Sequence, residues 1–236
     1  MGFQAFFDES GSTHDTDFMC VGGVIATADA WSTASTAWTN ALSAVGVPSL
    51  HMREFAHSRG AYAGWTEDCR QALLLSLLTI LRGAHVTVLG AAMPMNAWNS
   101  LSAEERKAFR DPYFCCLQEV FHGTLVHAEL VGRDSVELIV ADHPEFGVSA
   151  EALWNTYCGY HDLAHRASGF SRQSPRCCAP LQAADLVAYE VRKSCDMIAS
   201  GETKLRWPFQ QLLGTDPMLK FIDGDYLRRQ VEGLAL

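Results

Sequence analysis

Asp8, Asp142 and Asp185 are the residues best placed by type and context to do chemistry. Asp8 closes the aromatic run Phe3 to Phe7, and Asp142 closes the apolar run Ser135 to Ala141. Asp185 interrupts a helix otherwise built of Ala183, Ala184, Leu186, Val187, Ala188 and Val191, where a charge is costly unless paired or metal-bound. A lone carboxylate at a strand end is ordinarily a solvated or capping residue, so no single member carries a conclusion; the case rests on three, each tied to a different element. Carboxylates gathered in one place repel one another and need a cation between them at neutral pH. Hard oxygen ligands select Mg²⁺ or Mn²⁺. Two such ions roughly 4 Å apart clamp the attacking and leaving oxygens of a phosphodiester, so the chemistry expected is metal-dependent hydrolysis by a two-metal mechanism.

Several neighbours carry weaker signals. Glu9 follows Asp8 directly and points away from it if the strand continues, which sets it behind the ligands rather than among them. His143 follows Asp142 and suits an acid–base role beside the site. His161 and His165 stand four apart on a helical pattern, as zinc pairs can, but no third ligand has recognisable spacing, and a surface pair is the plainer reading. Glu190, five residues past Asp185, turns to another helix face and suits a surface salt bridge. Arg166, Arg172 and Arg176 lie in a run without acidic residues; it either guides a phosphate backbone toward the metals or is an ordinary loop. An aspartic-protease reading of Asp8 fails for want of a second Asp-Thr/Ser-Gly segment.

Positioning these residues requires the ends of two strands to meet beside a helix. Strands are expected at Phe3 to Phe7, Phe18 to Ala26, His85 to Ala92, Ser135 to Ala141 and, as a short fifth, Arg176 to Ala179. Helices are expected over Ala28 to Val45, Trp65 to Arg82, Pro112 to Leu130, Ala150 to Arg166 and from Pro180 to about Ala199, with two short helical patterns in the tail. If the first and fourth strands lie side by side and parallel, their carboxyl ends coincide, which is where open α/β sheets place their sites.

The composition sets limits. Of 236 residues 48% are hydrophobic, enough for a substantial core, and a net charge of −9 argues against a protein coated in basic surface for nonspecific nucleic-acid binding. A local basic track remains compatible with it. No apolar stretch approaches the roughly 20 residues needed to span a bilayer, and Met1 to Phe7 lacks a secretory pattern, so a cytoplasmic protein without membrane association is expected. The eight cysteines form no metal-type pairs and read as reduced, packed thiols. One domain spans 1–236, with a helical insertion at 28–83 and a C-terminal extension at 201–236, where Trp207, Pro208 and Phe209 offer a contact for a second copy or a protein partner.

Phe6 to Ser12 (FFDESGS), His51 to Glu54, Ile139 to Asp142 and Pro180 to Glu190 (PLQAADLVAYE) together resemble the signature segments of domain-of-unknown-function family 3800, a bacterial and phage family of the ribonuclease H-like superfamily. The resemblance covers nearly the whole chain to about Ser200. It implies a ribonuclease H-like mixed five-stranded sheet flanked by helices, with Asp8, Asp142 and Asp185 as metal ligands, Glu54 as a fourth and His51 positioning water or phosphate; Gln182 of the LQxAD pattern would stand just behind them. The insertion between the second and third strands is longer than a compact ribonuclease H core has. The function so implied is hydrolysis of DNA or RNA. The alternatives are a non-catalytic nucleic-acid- or protein-binding module and a phosphoesterase acting on a small nucleotide.

Overall fold

Phe3–Ser10 (β1) and Phe18–Thr27 (β2) pair antiparallel, with Phe3 opposite Thr27 and Asp8 opposite Gly22. This computed structural model describes residues 2–11, 16–132, 135–160, 162–214 and 217–234; Ser12 of the opening motif and His161 of the histidine pair lie outside them. β2 continues antiparallel onto Thr87–Pro94 (β3), and Val136–Ala141 (β4) lies parallel on the other side of β1. Ala167–Gln173 (β5) extends the sheet parallel to β4, and Met218–Phe221 (β6) extends it parallel to β3. The sheet order is β5-β4-β1-β2-β3-β6, a mixed α/β architecture with one strand more than the five expected.

Strand alternation sends successive residues to opposite sides and builds two cores. Phe6, Val24, Val88 and Ile139 face a layer of α1 (Ala28–Ala44), α3 (Glu67–Gly83), α8 (Ala179–Ala199) and α9 (Trp207–Leu213). Phe7, Val21, Leu89 and Val140 face α6 (Pro112–Leu130), α7 (Gly147–Tyr160) and α10 (Gly224–Leu234). The short helices α2 (Met52–Ala56), α4 (Met95–Asn99) and α5 (Ala103–Lys107) lie in the connections.

Local chemistry sets the helix starts. Thr27 and Thr66 accept the amides of Ala30 and Cys69, Asp111 accepts that of Phe114 ahead of Pro112, and Ser102 with Glu105 forms a reciprocal capping box. α1 buries Trp31, Ala34, Trp38 and Leu42, at the spacing of one helical face. α8 lies so close to β2 that a Cβ at Gly22 would stand 2.2 Å from the amide nitrogen of Ala188. Glycine on the strand and alanine on the helix are therefore jointly required.

Three expectations are corrected. The fifth strand is Ala167–Gln173, whereas the expected segment Arg176 to Ala179 is taken up by the end of a 3-10 turn, Pro175–Cys177, and the start of α8. The helix expected to reach Arg166 ends at Tyr160, and 164–166 is a separate turn. The C-terminal extension is not wholly helical, because β6 adds an edge to the sheet there. All eight cysteines are free. Pro208 and Phe209 are buried against the chain's own core.

Candidate active site at the carboxyl end of the sheet

The parallel register of β1 and β4 pairs Phe7 with Val140, so one and two residues further on Asp8 is level with Ala141 and Glu9 with Asp142. Alternation then divides them: Asp8 shares the α8 side with Phe6, whereas Glu9 shares the α6 side with Phe7.

On the α8 side, Asp185 stands in the second turn of α8 with its side chain 14% exposed. Its Oδ2 accepts the Met52 amide at 2.8 Å and lies 3.3 Å from His51 Nδ1. The segment delivering these donors is fastened by Gln182, which is 4% exposed. Gln182 Oε1 accepts the Trp38 indole at 2.9 Å and the Leu50 amide at 3.0 Å, and its Nε2 donates to the Pro175 carbonyl at 2.9 Å. One buried amide thus ties α1, the approach to α2 and the approach to α8 together, three residues before Asp185. The hydrogen bond to Asp185 raises the His51 imidazole above its ordinary pKa, although that side chain is 58% exposed.

Asp8 is partly buried, and its Oδ1 accepts the Glu9 amide at 2.9 Å. Burial, then the charges of Glu9 and Asp185, hold its carboxyl well above the usual range. The Glu9 side chain is only 9% exposed; Oε1 lies 3.8 Å from His143 Nδ1, and no donor among the described residues reaches its buried Oε2. Burial pushes Glu9 up to about 7, with the charges of Asp185 and Glu145 acting in the same direction.

Asp142 is held differently. Its amide donates to the Gln173 carbonyl at 2.8 Å, but the side chain is 56% exposed, with Oδ1 3.6 Å from Arg172 Nε. Arg172 also lies 3.4 Å from Glu151, and the His143 ring stacks on Phe146.

The remaining candidates are distributed more widely. Glu54 is exposed on α2 with its carboxylate over Gly60, where it adds negative potential at His51. Arg172 and Arg176 belong to the carboxyl end of β5 and the turn after it, whereas Arg166 precedes β5 at the other end, 3.4 Å from Glu129. His165 makes a local contact to the Asp162 carbonyl. Glu190 is not on the surface: fully buried, it binds Arg206 through both carboxylate oxygens, at 2.9 and 3.1 Å.

Asp8, Glu9, Asp142 and Asp185 thus approach the end of the sheet from its two faces. Among the described residues no three His, Cys, Asp or Glu side chains stand close enough to ligate one ion as placed. Asp8 and Glu9 leave the strand on opposite sides, and Asp142 lies toward Arg172. The donors are nonetheless all hard oxygens, and a buried acceptor that no donor among the described residues reaches, beside carboxyls with raised pKa values, is suited to a divalent cation. The sequence sets Glu9 behind the ligands; the signal it offered is the alternation Ala5, Phe7, Glu9, which carries Glu9 along the α6 side. The Met52 amide left no signal in residue type.

No protein-family model and no curated protein matches the chain, so the resemblance to domain-of-unknown-function family 3800 rests on the motifs alone. Among the described residues no helix is long and apolar enough to cross a membrane. Among solved structures, a chain from the complex of PCNA and RNase HII of Archaeoglobus fulgidus is similar over 89% of this chain and 86% of that one, at 12% identity and a TM-score of 0.40.

Proposed function

We propose that the chain is a divalent-metal-dependent nuclease that hydrolyses phosphodiester bonds of DNA or RNA. Asp8 and Asp185 from one face of the sheet, with Glu9 and Asp142 from the other, are the residues that would hold Mg²⁺ or Mn²⁺. The observation that carries this reading is the buried Oε2 of Glu9, which no donor among the described residues reaches, beside the Asp8 carboxyl, an arrangement of acceptors suited to a positive charge. A bound cation there supplies Lewis acidity at the scissile phosphate. The protein's own groups do the rest. His51, hydrogen-bonded to Asp185 and open to solvent, holds a proton within reach of a leaving oxygen. Arg172, beside Asp142, and Arg176, in the turn after β5, receive the phosphate backbone. Glu54 and Arg166 are left out of this assignment.

The test is Mn²⁺-dependent cleavage of single- and double-stranded DNA and RNA by the wild type, Asp8→Asn and Asp185→Asn. Loss of cleavage in folded variants is expected, and undiminished cleavage in either ends the reading. A second reading, a fold that binds nucleic acid without cutting it, is favoured by the lack of three converging ligands among the described residues. Calorimetry separates the two: Mn²⁺ uptake that Asp8→Asn abolishes supports the enzyme, and oligonucleotide binding without Mn²⁺ uptake supports the binding module.

A further inference from the structure

The helical insertion leaves a recess of about 160 Å³ where α2, α3, α8 and the start of α9 meet. It adjoins the carboxylate site. Met52, whose amide holds Asp185, is in its wall, and Tyr189 in the same wall is one turn beyond Asp185, about 6 Å along the axis of α8. Gln71 and Trp207 border both the recess and a broader, shallow groove of about 460 Å³ that continues over Ala72 and Leu75 on α3.

The chemistry of the recess is specific. Its charged groups are two acids and two bases, already paired as Glu190 with Arg206 and Glu67 with Arg70. Their charges cancel, so the recess offers little to a free phosphate or carboxylate. It offers hydrogen-bond donors and acceptors to a neutral ligand; Met52 and Tyr189 are buried behind it, and the apolar surface open to a ligand is that of Trp207 and, in the adjoining groove, Leu75. A neutral, flat ring whose edge carries both donors and acceptors is a nucleobase, and an aromatic face such as Trp207 beside a polar edge is how extruded or unpaired bases are held. A base stacked inside a duplex has neither its faces nor its Watson–Crick edge free to enter.

We infer that the recess receives one unpaired base of a single-stranded nucleic acid whose phosphate lies at the carboxylates, with the adjoining groove carrying the next base across Trp207 and Leu75. This assignment rests on the nuclease reading for its substrate and on the recess alone for the base.

The test is a titration of the ¹⁵N-labelled full chain in EDTA with adenosine, guanosine, cytidine and uridine, with ribose 5-phosphate as the baseless control. At least one nucleoside is expected to shift the Trp207 indole and Gln71 side-chain signals saturably, while ribose 5-phosphate moves neither. Gln71 is exposed, so Gln71→Leu leaves the core intact, and it is expected to weaken that nucleoside roughly ten-fold, the loss of one hydrogen bond. Nucleosides that leave both signals unmoved, or ribose 5-phosphate that shifts them equally, overturn the inference even if Mn²⁺-dependent cleavage is found. Saturable nucleoside shifts in a protein without cleavage support the recess while the nuclease reading fails.

Discussion

The two sides of the sheet end differ in how firmly they hold their carboxylates. On the α8 side Asp185 is fixed by a backbone amide and an imidazole, and the segment carrying both is bolted to α8 by Gln182. On the α6 side Asp142 is mostly exposed and has an arginine 3.6 Å away, and one Glu9 oxygen has no donor among the described residues. The contrast teaches that half of the proposed site is built by folding, whereas the other half awaits a charge to organise it. A strand contributes ligands cheaply at its end, but its alternation delivers them to both faces.

The strongest test of this contrast is carboxylate removal. A site drawing on both faces loses cleavage roughly 1,000-fold in Asp8→Asn, Asp185→Asn and Asp142→Asn alike, measured as kcat/KM with Mn²⁺. Retained activity in Asp142→Asn alone would confine the chemistry to the α8 side. Next in size, Gly22→Ala pushes α8 off β2 and is expected to cost about 3 kcal/mol, lowering Tm by roughly 6–12 °C in calorimetry. An unchanged Tm would show that the helix yields without loss.

Glu9 gives a pH signature of comparable or smaller size. Its folded pKa of about 7 exceeds the ordinary 4.5, so in EDTA the folded chain keeps a proton that the unfolded chain releases between those values. The associated stability, on the order of 2–3 kcal/mol, is complete below pH 4.5 and is lost as pH rises to 7. Urea unfolding across that range reads it, and Glu9→Gln should reduce the slope, leaving the part that Asp8 and His51 contribute. The smallest effect expected is at Arg172. Arg172→Gln removes a cation beside Asp142 and should tighten Mn²⁺ about three-fold by calorimetry, within the range of an exposed ion pair; weaker Mn²⁺ binding would contradict the picture of Arg172 competing for that carboxylate.

Elements with strong local signals were legible in the sequence. Pro112 behind Asp111 announces α6, Pro180 announces α8, and the apolar runs before Asp8 and Asp142 give β1 and β4. The edge strands were not. β5 reads Ala-Ser-Gly-Phe-Ser-Arg-Gln and β6 is four residues long, so both owe their form to the neighbour they pair with rather than to their own pattern. At the candidate site, Asp8 and Asp185 announce themselves by interrupting apolar surroundings. The inward course of Glu9 depends on β1 continuing to Ser10, and the outward course of Glu54 depends on which side of a five-residue helix is buried. Both are set by tertiary packing.

Gln182 has a consequence for the evolution and engineering of the chain. Its carbonyl oxygen receives Trp38 and Leu50, both from 28–83, and Asp185 receives Met52 from the same stretch. Excising that stretch to leave a minimal sheet would strand a buried amide acceptor and strip an aspartate of its donors. What looks by topology like a removable ornament is, by its hydrogen bonds, part of the foundation.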